Sequence, residues 1–310
     1  MKKDLQALFN EYMYECEFVQ HLSPKTMKDY RDAFRLLVKL QPDVSIENLS
    51  SQTMVSLFKQ LQERRRKVGK SMVTRGITKS TIITYWNRYN RFFSVLEQNG
   101  NIESNPFKGL KRPHQVQDSK KYLEKEQTEK VLTAILTSAN DTFLMKRNLV
   151  IFYLFLFCGL RRAELLQLQI RDIDLPKKIL TVRASTSKVE RSRQIPLHSY
   201  IIIHLLEYLT ARKQYTTQYL IVSRYKDAQL SQAGLKHLVQ LLCQTSGVNF
   251  HVHQLRHTFA VNFLNSSKDL AKLQQLLGHA SPSMTLHYTM CLPPQTMRPD
   301  IENLSIDGLI

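Results

Sequence analysis

The ten residues from Leu149 to Cys158, LVIFYLFLFC, are apolar without a break. As a helix they would rise about 15 Å, half the thickness of a bilayer core, so they cannot span a membrane and must be covered by protein on every side. The chain therefore has to wrap further elements around one central helix, predicted over Leu144 to Gly159. With 310 residues and 43% apolar composition it has the material for one large domain or two ordinary ones, which excludes an intrinsically disordered protein. The opening stretch MKKDLQALFN has neither the apolar segment nor the small-residue cleavage site of a signal peptide. Cys16, Cys158, Cys243 and Cys291 are scattered with no CxxC pair, so neither a disulfide framework nor a cysteine zinc site is indicated. Together these features predict a soluble protein of the reducing cytoplasm with no membrane partner.

Helical periodicity predicts four helices ahead of that core, over 3–20, 24–40, 51–68 and 78–98. Ser23 followed by Pro24 reads as a cap and a first-turn proline, and Thr78 precedes the stripe Ile82, Tyr85, Tyr89, Phe92, Phe93 and Leu96. Asn105 to Asp118 contains Pro106, Gly109 and Pro113 and reads as a linker. The expected organisation is a helical domain over 1–105, a linker over 106–118, and a second domain over 119–310 ending in a tail, 291–310. In the second domain a helix is predicted over Lys125 to Thr137. Alternating strands over Lys178 to Ala184 and Ser192 to Leu197 should form a hairpin, with a further short strand over Tyr219 to Ser223. The fold class is thus mainly α with a small β-sheet.

Charge narrows the partner. Lys and Arg number 44 against 26 Asp and Glu, and the net of +18 is far more than solubility needs, so it favours a polyanion, nucleic acid before membrane. The excess is uneven, with nets of −1, +10 and +9 over residues 1–50, 51–113 and 114–310. The middle segment holds the candidate DNA contacts Arg64, Arg65, Arg66, Lys67, Lys79, Arg88, Arg91, Lys111 and Arg112. A run of charge is often only a solvated helix face. Here the basic residues alternate with Thr78, Thr81, Tyr85, Trp86 and Tyr89, groups able to reach phosphates and base edges.

Four segments of the second domain concentrate cations, imidazoles and a phenol: CGLRRAELLQL, STSKVERSRQIPL, HVHQLRHTFA and LLGHASPSMTLHYTM. Taken alone, each has an ordinary reading. A lone tyrosine is usually core or surface, Lys188 is turn decoration, and Glu164 is an orienting partner for an arginine or a surface charge. The spacing of His253 and His257 is that of a HExxH zinc helix, but Gln254 stands where the base should be and Arg256 sits between the ligands.

Their order and phrasing resemble the tyrosine recombinase (phage integrase) family, over roughly Lys120 to Tyr288. GLRRAELL is similar to the family's first arginine box, which implies Arg161 as a catalytic arginine. Lys188, counted back from Pro196 and Leu197, falls at the hairpin lysine. HQLRHTFA resembles the H-x-L-R-H box, implying His253 and Arg256, and LLGHASPSMTLHY the last box, implying His279 and the nucleophile Tyr288. Two departures stand out: Met290 replaces the histidine of Y-x-H, and Asn265, Ser266 and Ser267 replace a glycine-containing turn. The resemblance implies a SAM-like core-binding domain and a catalytic domain closing as a C-shaped clamp on double-stranded DNA. It further implies a monomer in solution that assembles as a homotetramer at synapsis, without the extra N-terminal domain of phage enzymes that use accessory sites. The tail, with Ile301, Leu304, Ile306, Leu309 and Ile310, would dock on a neighbouring subunit or fold back on its own domain.

The residue types suit the chemistry. Cleaving a phosphodiester loads charge onto the non-bridging oxygens, which needs metal ions or preorganised cations. No dense carboxylate cluster for Mg²⁺ is evident, and two arginines can fork onto phosphate with a charge that does not titrate. His253 is the expected acceptor of the Tyr288 proton, and His279 would hydrogen-bond the phosphate. The resemblance gives Lys188 the departing 5′ oxygen. No cofactor is expected, and no P-loop motif for ATP occurs. Two rival readings are a type IB topoisomerase, with similar chemistry on one duplex, and a non-catalytic DNA-binding protein, which would leave the six ordered residues unexplained.

Overall fold

The computed structural model describes residues 4–68, 72–114, 122–138, 141–186 and 191–292. The chain forms two compact units, residues 1–116 and 117–310.

Four helices build the first unit: α1 (Leu5–Phe18), α2 (Pro24–Leu40), α3 (Ser51–Glu63) and α4 (Lys79–Gln98). Each starts where a short polar side chain accepts a backbone N–H of the first turn: Asp4, Ser23, Ser50 and Thr78. Their apolar faces meet in an aromatic core in which Phe9 stacks on Phe34 and both meet Phe92 edge-on, while Trp86 packs edge-on against Phe107. The Tyr89 hydroxyl donates to the carbonyl of Ala33, tying α4 to α2.

Two expectations for this unit need correction. The helix predicted over 51–68 ends at Glu63, and the basic run continues as strand β1 (Arg65–Val68), antiparallel to β2 (Met72–Arg75). Arg and Lys sustain a helix pattern well, but the partner strand outcompetes it. Gly76 closes the ribbon at φ +72°, donating its N–H to the Arg64 carbonyl, and a Cβ there would strike the Gln62 carbonyl. The start of the expected linker is also not linker-like, because Phe107 is buried in the core and its N–H is held by Asn105 Oδ1.

The second unit is organised around α6 (Thr142–Cys158), capped by Asp141 and ended by Gly159 in the left-handed region. The apolar run is buried almost throughout, covered by α5 (Lys125–Ser138), α8 (Ser199–Ala211) and α10 (Val252–Ser267). α9 (Gln232–Ser246) packs on α5. Shorter helices complete it: α7 (Arg162–Gln167), α11 (Leu270–Leu277) and α12 (Ser283–Leu286). The expected hairpin is present as β4 (Ile179–Val182) and β5 (Arg193–Pro196), pairing Leu180 with Ile195 and Val182 with Arg193. A two-residue strand, β3 (Ile173–Asp174), makes it a three-stranded antiparallel sheet in the order β3-β4-β5. The strand predicted over Tyr219 to Ser223 is reduced to isolated bridges, Gln169 with Tyr219 and Val222 with Gln229.

Candidate active site

The site is assembled by the breaks between helices. Gly159 lets α6 stop against α10: a Cβ there would run into the Phe259 ring, and its φ of +57° disfavours side chains. The turn presents the Gly159 carbonyl to Arg256 Nη1 at 2.6 Å. Two residues on, Arg161 caps α7, its backbone N–H bonding Glu164 Oε2 at 2.7 Å and its Nη1 bonding Glu164 Oε1 at 2.8 Å. Gly278, at φ +62°, ends α11 and gives its carbonyl to Arg161 Nη2 at 2.9 Å.

Glu164 is the hub. It is 1% exposed, and besides Arg161 it takes both terminal nitrogens of Arg193, at 3.0 and 2.7 Å, with Arg256 Nη1 at 3.9 Å. Burial alone would push its carboxyl up, but the hydrogen bond and charge of Arg193, joined by the bonds from Arg161, outweigh it and hold the group at about 2. Arg256, 2% exposed, is pulled down to about 9, first by burial and then by the charge of Arg161. Its Nη2 bonds the Leu277 carbonyl at 2.7 Å. Each guanidinium carries five N–H donors, more than the bonds named above use.

Tyr288 lies between α12 and the short 3₁₀ turn Thr289–Cys291, buried with Phe259, Val261, Leu273 and Leu277. It is 1% exposed. Burial raises its phenol above the ordinary range, opposed by the charges of Arg256 and Arg161. Its hydroxyl lies 2.9 Å from His257 Nδ1. The His279 ring runs nearly parallel to the Tyr288 ring, centroids 6.3 Å apart, and its Nδ1 is 2.8 Å from the hydroxyl of buried Thr285.

The structure thus brings Arg161, Arg256, His279 and Tyr288 together. His253, expected as the proton acceptor, is exposed one turn before His257, with ring centroids 4.5 Å apart. Lys188 lies outside the described residues, as does the tail from residue 293. Sequence reasoning missed two residues. Arg193 could have been read from strand alternation, which turns it inward with Ile195 and so demands a buried carboxylate. His257 closes the H-x-L-R-H box and has the spacing of a zinc ligand from His253, but neither gave it a role in the site. Among the described residues no group of three or more His, Cys, Asp or Glu could hold a metal ion.

Of the expected DNA contacts, Arg65, Lys79, Arg91, Lys111 and Arg112 are exposed, and Arg64 is half-buried. Arg66 and Lys67 lie on β1. Arg88 bonds Asp29 at 2.9 Å, joining α4 to α2.

The phage integrase family matches residues 121–293, more than half the chain and all of the site just described. The chain belongs to the phage integrase family. The tyrosine recombinase XerC of Shewanella amazonensis is 30% identical over 274 residues, covering 87% of this chain and 86% of its own. That of Alcanivorax borkumensis is 31% identical over 289 residues, covering 90% and 88%. The fold is that of XerH site-specific recombinase bound to palindromic difH substrate in a post-cleavage complex, with a TM-score of 0.74 at 21% identity over 92% of this chain and 82% of that one. The chain is a tyrosine-type site-specific recombinase that acts on DNA through a covalent intermediate. Among the described residues, no helix is long and apolar enough to cross a membrane.

Proposed function

We propose that Tyr288 attacks a phosphodiester of double-stranded DNA, forms a 3′-phosphotyrosyl bond and frees a 5′ hydroxyl, and that the 5′ hydroxyl of a second duplex then reseals the strand. One observation carries this reading: a tyrosine only 1% exposed is buried beside Arg256, which shares the Glu164 carboxylate with Arg161, and both charges favour its phenolate. Around the phosphate, those guanidiniums hold the non-bridging oxygens, and His279 donates a hydrogen bond. Lys188 protonates the departing 5′ oxygen. The bond energy is kept in the phosphotyrosyl ester, so no ATP is consumed, and the arginines take the place of metal. DNA is gripped by the basic residues of the first unit, and four protomers joined through their tails bring two sites together. The biological task is integration or excision of a mobile element, or resolution of a DNA dimer.

The test is a nicked suicide duplex. The wild type should form a denaturant-resistant adduct in EDTA, whereas Tyr288→Phe should bind with near-normal affinity and form none. An adduct with the Phe variant, or cleavage that needs added Mg²⁺ or Zn²⁺, would refute the reading.

A further inference from the structure

Tyr288 is a poor nucleophile as it stands, because burial holds the proton on its oxygen and attack on phosphorus requires that proton to leave. The hydroxyl is 2.9 Å from Nδ1 of His257, within the range of direct proton transfer. His257 is 7% exposed and Tyr288 1%, so bulk water is a poor competitor for the proton. The His257 ring is held in place: α10 carries it beside Arg256, and the His253 ring packs edge-on against it at 70°.

We propose that His257 is a further catalytic residue, whose unprotonated Nδ1 accepts the Tyr288 proton during strand cleavage and returns it during resealing. This rests on the reading of Tyr288 as the nucleophile. In cleavage the Tyr288 O–H bond breaks and the His257 Nδ1–H bond forms while the phenolic oxygen bonds phosphorus. The bond from phosphorus to the 5′ oxygen breaks, and that oxygen takes its proton from a different donor, Lys188. In resealing, the incoming 5′ hydroxyl gives its proton to the neutral Lys188 amine while its oxygen bonds phosphorus, the bond from phosphorus to the phenolic oxygen breaks, and His257 gives its proton back to that oxygen. The charges of Arg256 and Arg161 favour the phenolate, so the transfer does not strand an unsupported anion in the core. The resting tautomer must carry its hydrogen on Nε2.

Single-turnover adduct formation by the full chain on the nicked duplex tests this. Gln at 257 can still bond the hydroxyl but cannot hold the proton, so His257→Gln should slow cleavage by about 100-fold or more, with DNA affinity little changed. A duplex with sulfur in place of the bridging 5′ oxygen has a leaving group that needs no proton. It should restore Lys188→Ala and leave His257→Gln slow. Three outcomes would overturn the proposal: cleavage by His257→Gln within threefold of wild type, faster cleavage, which would make the hydrogen bond a latch, or rescue by sulfur. Nitrogen-15 NMR of the native chain gives a test that needs no variant: hydrogen on Nε2 of His257 is expected, and a neutral ring with hydrogen on Nδ1 would contradict it. Tyr288→Phe run alongside separates the failures. An adduct with Phe defeats the nucleophile assignment, whereas no adduct with Phe and full activity in His257→Gln defeats only the role of His257.

Discussion

The two units hold themselves together by different means. The first buries aromatic rings against one another, with Phe9, Phe34, Phe92, Phe93, Trp86 and Phe107 in a single cluster. Its charged residues lie outside that cluster, as the ion pair of Arg88 with Asp29 shows. The second unit has a larger apolar core, yet it also buries Glu164, Arg193, Arg256 and His257. Apolar burial tolerates approximate geometry, whereas buried charges are stable only when nearly every donor and acceptor is met. The second unit therefore keeps a preorganised set of cations at the cost of sensitivity to any change in its members.

The largest effects are expected in the two cores, and in the second unit from replacing Glu164 by Gln. It leaves the Arg193 and Arg161 guanidiniums without their carboxylate, at a cost of about 3–5 kcal/mol in the stability of the second unit. Phe93→Ala in the first unit should cost a similar amount, about 3–5 kcal/mol, through the cavity it leaves. Acid separates the two. Glu164 sits at about 2 in the folded state against an ordinary 4.5, so its contribution is complete above about pH 4.5 and is lost as pH falls through about 2. The full span is worth about 3 kcal/mol. Hydrogen exchange of α10 and α4 reads the two units separately. The penalty of Glu164→Gln should shrink between pH 4.5 and 2, while that of Phe93→Ala stays constant. A Glu164→Gln penalty that ignores pH would erase the distinction.

A smaller effect is expected on the ribbon, where β1 and β2 set Arg65 directly opposite Arg75. Like charges in that position repel, and a phosphate between them would relieve the repulsion. Changing both to Ala should leave folding unaltered or raise stability by a few tenths of a kcal/mol. It should lower the slope of log affinity against log salt by about 0.9 for each DNA phosphate that the pair neutralises in the wild type. An unchanged slope would make the ribbon a solvated surface.

Legibility in the sequence follows the same division. Where local chemistry decides, as with Ser23 and Pro24 opening α2 or the apolar run that ends α6 at Gly159, helix positions could be read from spacing. Arg65 to Val68 could not, because the strand depends on pairing with residues 72–75 and nothing local distinguishes it from a helix. The site divides likewise. Arg161, Arg256, His279 and Tyr288 were visible as motifs. The hub around Glu164 was not, since its partner Arg193 is 29 residues away and becomes a neighbour only when β5 packs beside α11. The approach of His257 to Tyr288 spans 31 residues and was hidden in the same way.

The claim on which the rest depends is that the buried charged cluster serves a tyrosine nucleophile. Its most direct test is to trap the wild-type chain on a suicide duplex, digest protein and DNA, and locate the adduct by mass spectrometry. The account predicts a nucleotide joined through its 3′ phosphate to Tyr288. An adduct on another residue, or one joined through a 5′ phosphate, would contradict it.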